Sequence, residues 1–215
     1  MAKSDKPNLR IMSAINVGEV ESLKVLFENF PDHLRPKRLK YGHWLNYACA
    51  YGSADIVRYL ISVGFDVNAK GRMGENPLAI ACMRSQKEIV LVLKSEGAGF
   101  NTNRLIENPL FLAIGGDSPD YVQTLLEAGI DTSTRYVVGL EDNPSVDAVA
   151  WAMMKGDRPT AFTIALWNSN GDQAAAEAAI VEGQRLAQQI RGREEAFAAA
   201  ERQAYLERPD PLRLH

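Results

Sequence analysis

The apolar residues of this chain fall into short runs that repeat the same shape along the sequence. A run of small and apolar residues, as in 77–82, is followed within a few positions by a second segment that mixes apolar and polar residues, as in 87–95. In the second segment the apolar residues lie three or four positions apart, which is typical of a helix with one buried face. Glycines close these segments at Gly64, Gly97 and Gly129, where left-handed helix caps are common. The pattern predicts pairs of helices joined by short turns.

The runs recur with a nearly constant period. Four alanines occupy the same place in successive runs, Ala14, Ala48, Ala81 and Ala113, and they are 34, 33 and 32 residues apart. A period near 33 means that one supersecondary unit is copied along the chain. Since a single unit cannot bury its apolar face alone, the copies are expected to stack into a solenoid.

Two further motifs give the repeat a family resemblance. The stretches 76–78 and 108–110 both read Asn-Pro-Leu, and 60–68 reads Leu-Ile-Ser-Val-Gly-Phe-Asp-Val-Asn, with a second version of that ending at 125–131. At these offsets the chain resembles the ankyrin repeat over roughly residues 8–168, a family whose signature is Thr-Pro-Leu-His-x-Ala. The resemblance implies an all-α fold, an ankyrin-repeat solenoid of about five helix-turn-helix units with a C-terminal helical extension.

The repeats and the change in composition after residue 168 set the expected boundaries. They are a flexible tail at 1–8, a repeat domain at 9–168, an alanine-rich extension at 169–208 and a tail at 209–215. Within the repeat domain we expect a capping repeat at 9–37, repeats at 38–70, 71–102 and 103–134, and a degenerate repeat at 135–168. The degenerate repeat has a longer finger, in which 136–138 is a candidate for extended structure.

The extension is built from strong helix formers, mostly alanine with glutamate, glutamine and arginine. We expect one or two long helices, broken or bent near Gly183 or Gly192. Residues 172–190 carry Ile180, Leu186 and Ile190, and they are expected to cover the last repeat, because an open end is a liability in a solenoid.

Composition narrows the range of partners and locations. The net charge of −3 gives no general attraction to nucleic acid or to a membrane surface. No apolar run is long enough to span a bilayer, and the polar start of the chain lacks the apolar core of a signal peptide. These features predict a cytoplasmic protein.

Cys49 and Cys82 occupy equivalent repeat positions about 10 Å apart. This distance is too long for a disulfide, and both residues are expected to be buried thiols.

The sequence offers little catalytic chemistry. Its histidines, His33, His43 and His215, show no zinc-site spacing, and no nucleophile elbow, phosphate loop or dinucleotide motif is present. We therefore expect no enzyme activity, no catalytic residue, no cofactor and no metal. The alternative, an enzyme with an unrecognised site in the C-terminal third, would place chemistry around Asp147, Asp157 or Glu194. His43 fills the place of the family's threonine and is expected to have a structural role in the turn.

The resemblance also implies where a partner binds. In ankyrin-like stacks the finger tips and the exposed side of each first helix form a concave surface, which here also includes Asn16, Ala50, Leu39 and Glu107. The residues we expect to contact a partner are Arg38, Lys40, Tyr51, Arg72, Met73, Glu75, Met83, Arg84, Arg104, Leu105, Met154 and Lys155. Arginine, tyrosine and methionine are enriched in interface cores. Trp44 replaces the motif's usual proline, either as a plug in the core or as an exposed anchor.

Two of the fingers are basic although the protein as a whole is acidic. They gather Arg35, Lys37, Arg38, Lys40, Lys70 and Arg72. This asymmetry favours a partner protein with an acidic patch, and the alternative is that these are ordinary solvated tips. The expected function is a protein–protein interaction module that binds and inhibits a partner, most specifically a bacterial immunity protein that neutralises a toxin or effector. An adaptor or a host-directed effector scaffold is the other binding role.

Overall fold

The computed structural model describes residues 7–33, 42–71, 74–115 and 119–206. In these ranges the chain is all-α, with eleven α-helices and a single isolated β-bridge. It divides into two compact units, Met1–Asp131 and Thr132–His215. The first unit contains α1 (Pro7–Val17), α2 (Val20–Asn29), α3 (Trp44–Tyr51), α4 (Ala54–Ser62), α5 (Pro77–Met83), α6 (Lys87–Ser95), α7 (Pro109–Ala113) and α8 (Pro119–Glu127). The second contains α9 (Ala148–Met154), α10 (Arg158–Asn168) and α11 (Gln173–Leu206).

The helices of the first unit form the expected pairs. Helices α1 and α2, α3 and α4, α5 and α6, and α7 and α8 pack within their pairs. First helices contact one another along the series α1, α3, α5, and second helices do so along α2, α4, α6. The prediction of stacked helix pairs is therefore confirmed. Helix α1 starts at Pro7, so the last two residues of the expected 1–8 tail are helical instead.

Asparagine followed by proline starts two of the first helices. Asn76 Oδ1 accepts a hydrogen bond from the Ala79 backbone N–H at 2.9 Å, and Asn108 Oδ1 accepts one from Leu110 at 3.0 Å. These bonds satisfy donors that a helix start otherwise leaves open. Proline suits the next position because its missing N–H is not needed there. The Asn76 side-chain amide also donates to the Gly99 carbonyl oxygen, which ties this cap to the end of its own repeat.

The core of the first unit lies between the helix layers. The aligned alanines Ala48 and Ala81 are fully buried, and Trp44 is also 0% exposed, which establishes it as a core plug. Cys49 and Cys82 are buried and free, as expected. Burial raises the pKa of both thiols, that of Cys82 to about 12, so both remain protonated at neutral pH.

The second unit is built around α11. Before it, a long finger carries the isolated bridge between Tyr136 and Val146, in agreement with the extended segment predicted at 136–138. The buried Asn143, which precedes Pro144, donates from its side chain to the Val138 carbonyl oxygen at 2.8 Å and braces this finger.

Helix α11 packs against both α9 and α10. Its inward residues Ala176, Ile180, Leu186, Ala187 and Ile190 are buried. The prediction that 172–190 packs over the preceding helix pair is confirmed, whereas the assignment of that pair as a degenerate repeat stays a prediction. Of the expected alternatives of one or two long helices, the structure has one. Helix α11 runs through Gly183 and Gly192, so a break at either glycine is wrong.

Gly183 has a packing role that explains its presence inside a helix. A Cβ atom at this position would lie 3.3 Å from the Ala150 Cα atom and 3.4 Å from the Ala150 backbone nitrogen. The absence of a side chain thus lets α11 approach the backbone of α9 closely. Among the described helices, none combines the length and apolarity needed to cross a membrane.

Candidate partner-binding surface

Two expected contact residues, Tyr51 and Arg84, meet at the ends of two neighbouring first helices, and a third, Met83, directly precedes Arg84. Tyr51 ends α3, Met83 ends α5, and Arg84 follows directly. The Arg84 guanidinium carbon lies 5.2 Å from the centre of the Tyr51 ring, and Arg84 Nη2 donates to the Tyr51 hydroxyl at 3.3 Å. We refer to Tyr51, Met83 and Arg84 as the Tyr51 patch.

The Tyr51 patch is both exposed and braced. Tyr51 is 38% exposed and Met83 is 47% exposed. The buried Tyr47 ring lies 5.0 Å from the Tyr51 ring, centre to centre. The cation–π contact and the ring contact restrict the rotamers of Tyr51 and Arg84 before any partner arrives. Because the aromatic and cationic side chains of the Tyr51 patch are already ordered, they lose little side-chain entropy on binding.

The expected tip residues of the later fingers differ in exposure. Arg104 is exposed, whereas Glu75 and Leu105 are partly buried. The expectation that Glu107 is an exposed finger tip is wrong. Its side chain is only 14% exposed, it pairs with Lys70 at 3.6 Å, and it accepts a hydrogen bond from Asn101 Nδ2 at 2.8 Å. Glu107 thus joins adjacent fingers, and Lys70 is already charge-matched.

The remaining expected residues fall in three places. Arg38, Lys40, Arg72 and Met73 lie outside the described residues, as do Arg35, Lys37 and Leu39, so the basic fingers remain a prediction. Asn16 is exposed, but Ala50 is only 4% exposed, and its assignment to the binding surface is wrong. The side chain of Ala50 is small enough to fit among the packed first helices.

Met154 and Lys155 belong to the second unit. Met154 is the last residue of α9 and is partly buried. The Lys155 ammonium lies 4.3 Å from the centre of the Trp151 ring, a cation–π contact on an exposed side chain. Lys155 and Trp151 therefore form a small cationic and aromatic pair at the end of α9, directly after Met154.

Two of the exposed apolar side chains that sequence reasoning missed in the first unit lie at and just before α7. Leu112 is 60% exposed and Ile106 is 56% exposed. Leu112 occupies the repeat position of Tyr47 and Ile80, which are buried, so alignment to the repeat predicted the opposite. Helix α7 contains only five residues, and this irregular repeat was not evident from the spacing.

Two of the three carboxylates considered for catalysis, Asp147 and Asp157, serve as helix caps. Asp147 caps α9 by accepting from the Ala150 N–H at 3.0 Å, and it pairs with Arg135 at 2.7 Å. Asp157 caps α10 through the Thr160 N–H at 3.1 Å. Within the ranges that the structure describes, no three or more His, Cys, Asp and Glu side chains are grouped to hold a metal ion.

His43 occupies the cap position of α3. Its Nε2 atom lies 3.4 Å from the Ala69 carbonyl oxygen, and its ring lies 6.3 Å from that of Phe65. Burial lowers the pKa of His43, while the contact with the Ala69 carbonyl opposes that effect. The side chain is therefore held as a neutral imidazole at neutral pH, consistent with a place in the turn.

Comparison with known families agrees with the geometry. Residues 45–136 match the family model described as ankyrin repeats (3 copies). This segment of the chain is thus made of ankyrin repeats, and the described residues form an all-α repeat fold consistent with a solenoid. Among the curated proteins, none matches the chain. Ankyrin repeats indicate a protein–protein interaction module, and proteins built from them are generally non-enzymatic.

Proposed function

We propose that this protein binds a partner protein through the Tyr51 patch and the neighbouring fingers, and that binding inhibits the partner. The observation that carries the proposal is the braced Tyr51–Arg84 pair on an ankyrin-repeat segment. Tyrosine and arginine are the residue types that most often dominate binding energy at interfaces. The protein itself acts by occupying a surface and not by catalysis.

The partner we propose is a toxin or effector, which gives the protein a bacterial immunity role in the cytoplasm. The support is analogy with ankyrin-like immunity proteins, together with a sequence that presents a recognition module and no familiar catalytic motif. An inhibitor of this kind needs a rigid surface and a tight complex. The Tyr51 patch provides the rigid surface.

Co-purification with the product of the neighbouring gene tests the proposal directly. We expect a stoichiometric complex and loss of the partner's toxicity or activity in the presence of this protein. Tyr51→Ala and Arg84→Ala should each weaken the complex by about tenfold or more, since hot-spot truncations cost over 1.4 kcal/mol. Arg58→Ala is the matched control, because Arg58 is an exposed arginine of α4 that pairs only locally with Asp55. A complex that forms without inhibition would instead indicate an adaptor.

Charge reversal tests the proposed acidic patch on the partner. Changing Arg38, Lys40 and Arg72 together to glutamate should slow association and reduce its salt dependence, because rim charges act mainly on the on-rate. Changing Arg185, Arg191 and Arg202, which are exposed on α11, together to glutamate gives a control with the same charge change. An unchanged association rate in the triple variant would remove the acidic-patch part of the proposal and leave the Tyr51 patch standing.

A further inference from the structure

A leucine stands at a solvent-facing position on the second-helix side of the first unit. Leu91 of α6 is 71% exposed. The equivalent positions in the preceding and following repeats, 33 and 32 residues away, are Arg58 and Gln123, both exposed and polar. The repeat thus places polar side chains here, and Leu91 is an exception in a position that folding does not require to be apolar.

Leu91 borders a groove between α6 and α8. The groove has a volume of about 460 Å³, within the range of ligand-binding clefts. It is lined by Lys87, Val90, Leu91, Lys94, Thr124, Glu127 and Ala128. Val90, Thr124 and Ala128 are buried and form its floor, so most of the surface offered to a ligand is apolar.

The positive and negative charges around the groove do not cancel. Lys87 pairs with Glu127 at 3.6 Å, and Glu127 also accepts from Gln123 Nε2 at 3.0 Å. The Gln123 hydrogen bond and the Lys87 charge lower the pKa of Glu127, so this pair stays ionised and roughly neutral as a whole. Lys94 is exposed and makes no ion pair with any described carboxylate. The groove therefore carries one uncompensated positive charge beside its apolar floor.

We propose that this groove docks an acidic amphipathic segment of a partner protein. One or two apolar side chains of that segment would pack on Leu91 and Val90, and a carboxylate would meet Lys94. This mode is a helix or short segment seated in a groove. A second copy fits less well, because Glu127 is the one carboxylate among the described residues that line the groove, and it is already paired with Lys87, so the groove of a second copy offers no free carboxylate to Lys94. The proposal uses a surface separate from the Tyr51 patch and does not rest on the function proposed above.

The test uses the full-length protein labelled with ¹⁵N and two synthetic helical peptides. Both are alanine-based with leucines at i and i+4, and they differ only in carrying either two glutamates or two lysines one turn away. We expect saturable amide shifts at Leu91, Lys94 and Ala128 with the glutamate peptide, and at least tenfold weaker binding with the lysine peptide.

Substitutions distinguish peptide binding in the groove from nonspecific hydrophobic binding. Leu91→Gln, which restores the kind of residue found at Gln123, and Lys94→Gln should each weaken the glutamate peptide by about fivefold to tenfold without lowering the melting temperature. Val63→Gln is the matched control, since Val63 is an exposed apolar residue of the same unit outside the groove, and it should change nothing.

Three results would overturn the proposal. They are equal binding of both peptides, the absence of saturable shifts at millimolar peptide, and self-association in sedimentation that Leu91→Gln abolishes. The last would assign the groove to a second copy of the chain. Because Leu91 and Lys94 are both exposed, either variant remains informative if the other fails to fold.

Discussion

At the residue scale, side chains of different types occupy the same repeat position, the residue before the first helix. His43, Asn76 and Asn108 all precede the first helix of their repeats, but only the asparagines accept a hydrogen bond from the helix start. His43 instead turns its ring toward Phe65 and the Ala69 carbonyl. The imidazole thus replaces a capping bond with ring packing, and it brings a titratable group into a partly buried site.

This exchange predicts a pH dependence of stability. Burial is the main cause of the lowered pKa of folded His43, so below about pH 6.5, the usual value for histidine, the unfolded chain binds the proton more readily. Stability should therefore fall as the pH decreases through 6.5 and level off below the folded pKa. Urea unfolding from pH 7.5 to 5 measures this. In His43→Asn the dependence over this window should be reduced, and an identical slope in both proteins would contradict the assignment.

The aligned alanines make a second prediction at this scale. Ala81 is fully buried at a junction of first helices, so Ala81→Leu should destabilise the protein by about 1–3 kcal/mol through overpacking. Chemical denaturation with a fixed slope gives the difference directly. Ala178→Leu is the control, because Ala178 is exposed on α11 and leucine should be nearly neutral there. Equal stability of the Ala81 variant and the wild type would show that this position has room.

At the scale of elements, the two glycines of α11 look alike in the sequence and differ in the structure. Both lie within one helix, and both raised the expectation of a break. Gly183 faces the Ala150 backbone of α9, whereas a Cβ at Gly192 would meet no atom within 4 Å among the described residues. Sequence spacing could not separate a glycine that permits close helix packing from one that is only tolerated.

The two glycines therefore should respond oppositely to the same change. Gly192→Leu should leave stability unchanged or raise it by about 0.5–1 kcal/mol, because glycine is a poor helix former. Gly183→Leu should lower stability by about 1–3 kcal/mol, since the side chain must displace α11 from α9. Thermal unfolding of both variants checks this pair. If both variants gained stability, the close approach at Ala150 would not be a constraint.

At the scale of the whole molecule, the repeat period was enough to predict the helix pairs and the buried alanines, and the apolar residues after residue 168 indicated the covering role of α11. The period could not predict local departures from it. Leu112 and Leu91 are exposed where equivalence with other repeats predicts a buried and a polar residue, respectively, and Glu107 joins two fingers although its position in the repeat is a tip. Such features depend on helix length and on neighbours in the next repeat, which one repeat's pattern does not contain.

The role of α11 in the second unit leads to a prediction by truncation. Ending the chain at Asn168 removes Ile180, Leu186 and Ile190, all buried, and should uncover the apolar faces of α9 and α10. We expect a lower melting temperature and increased binding of a hydrophobic dye. Ending the chain at Arg191 keeps these three residues and serves as the control, with little expected change. Equal melting of the Asn168 truncation and the full chain would mean that α11 adds no stability.

The asparagines that brace the fold have a consequence for chemical ageing. Asparagine deamidates mainly when the backbone nitrogen of the next residue attacks its side-chain carbonyl. The buried Asn76, Asn108 and Asn143 each precede a proline, whose ring nitrogen has no hydrogen to lose. That route is closed at all three positions. The caps of α5 and α7 and the brace of the long finger should therefore keep their amides through long storage, and peptide mass mapping of aged protein should find deamidation at other asparagines first.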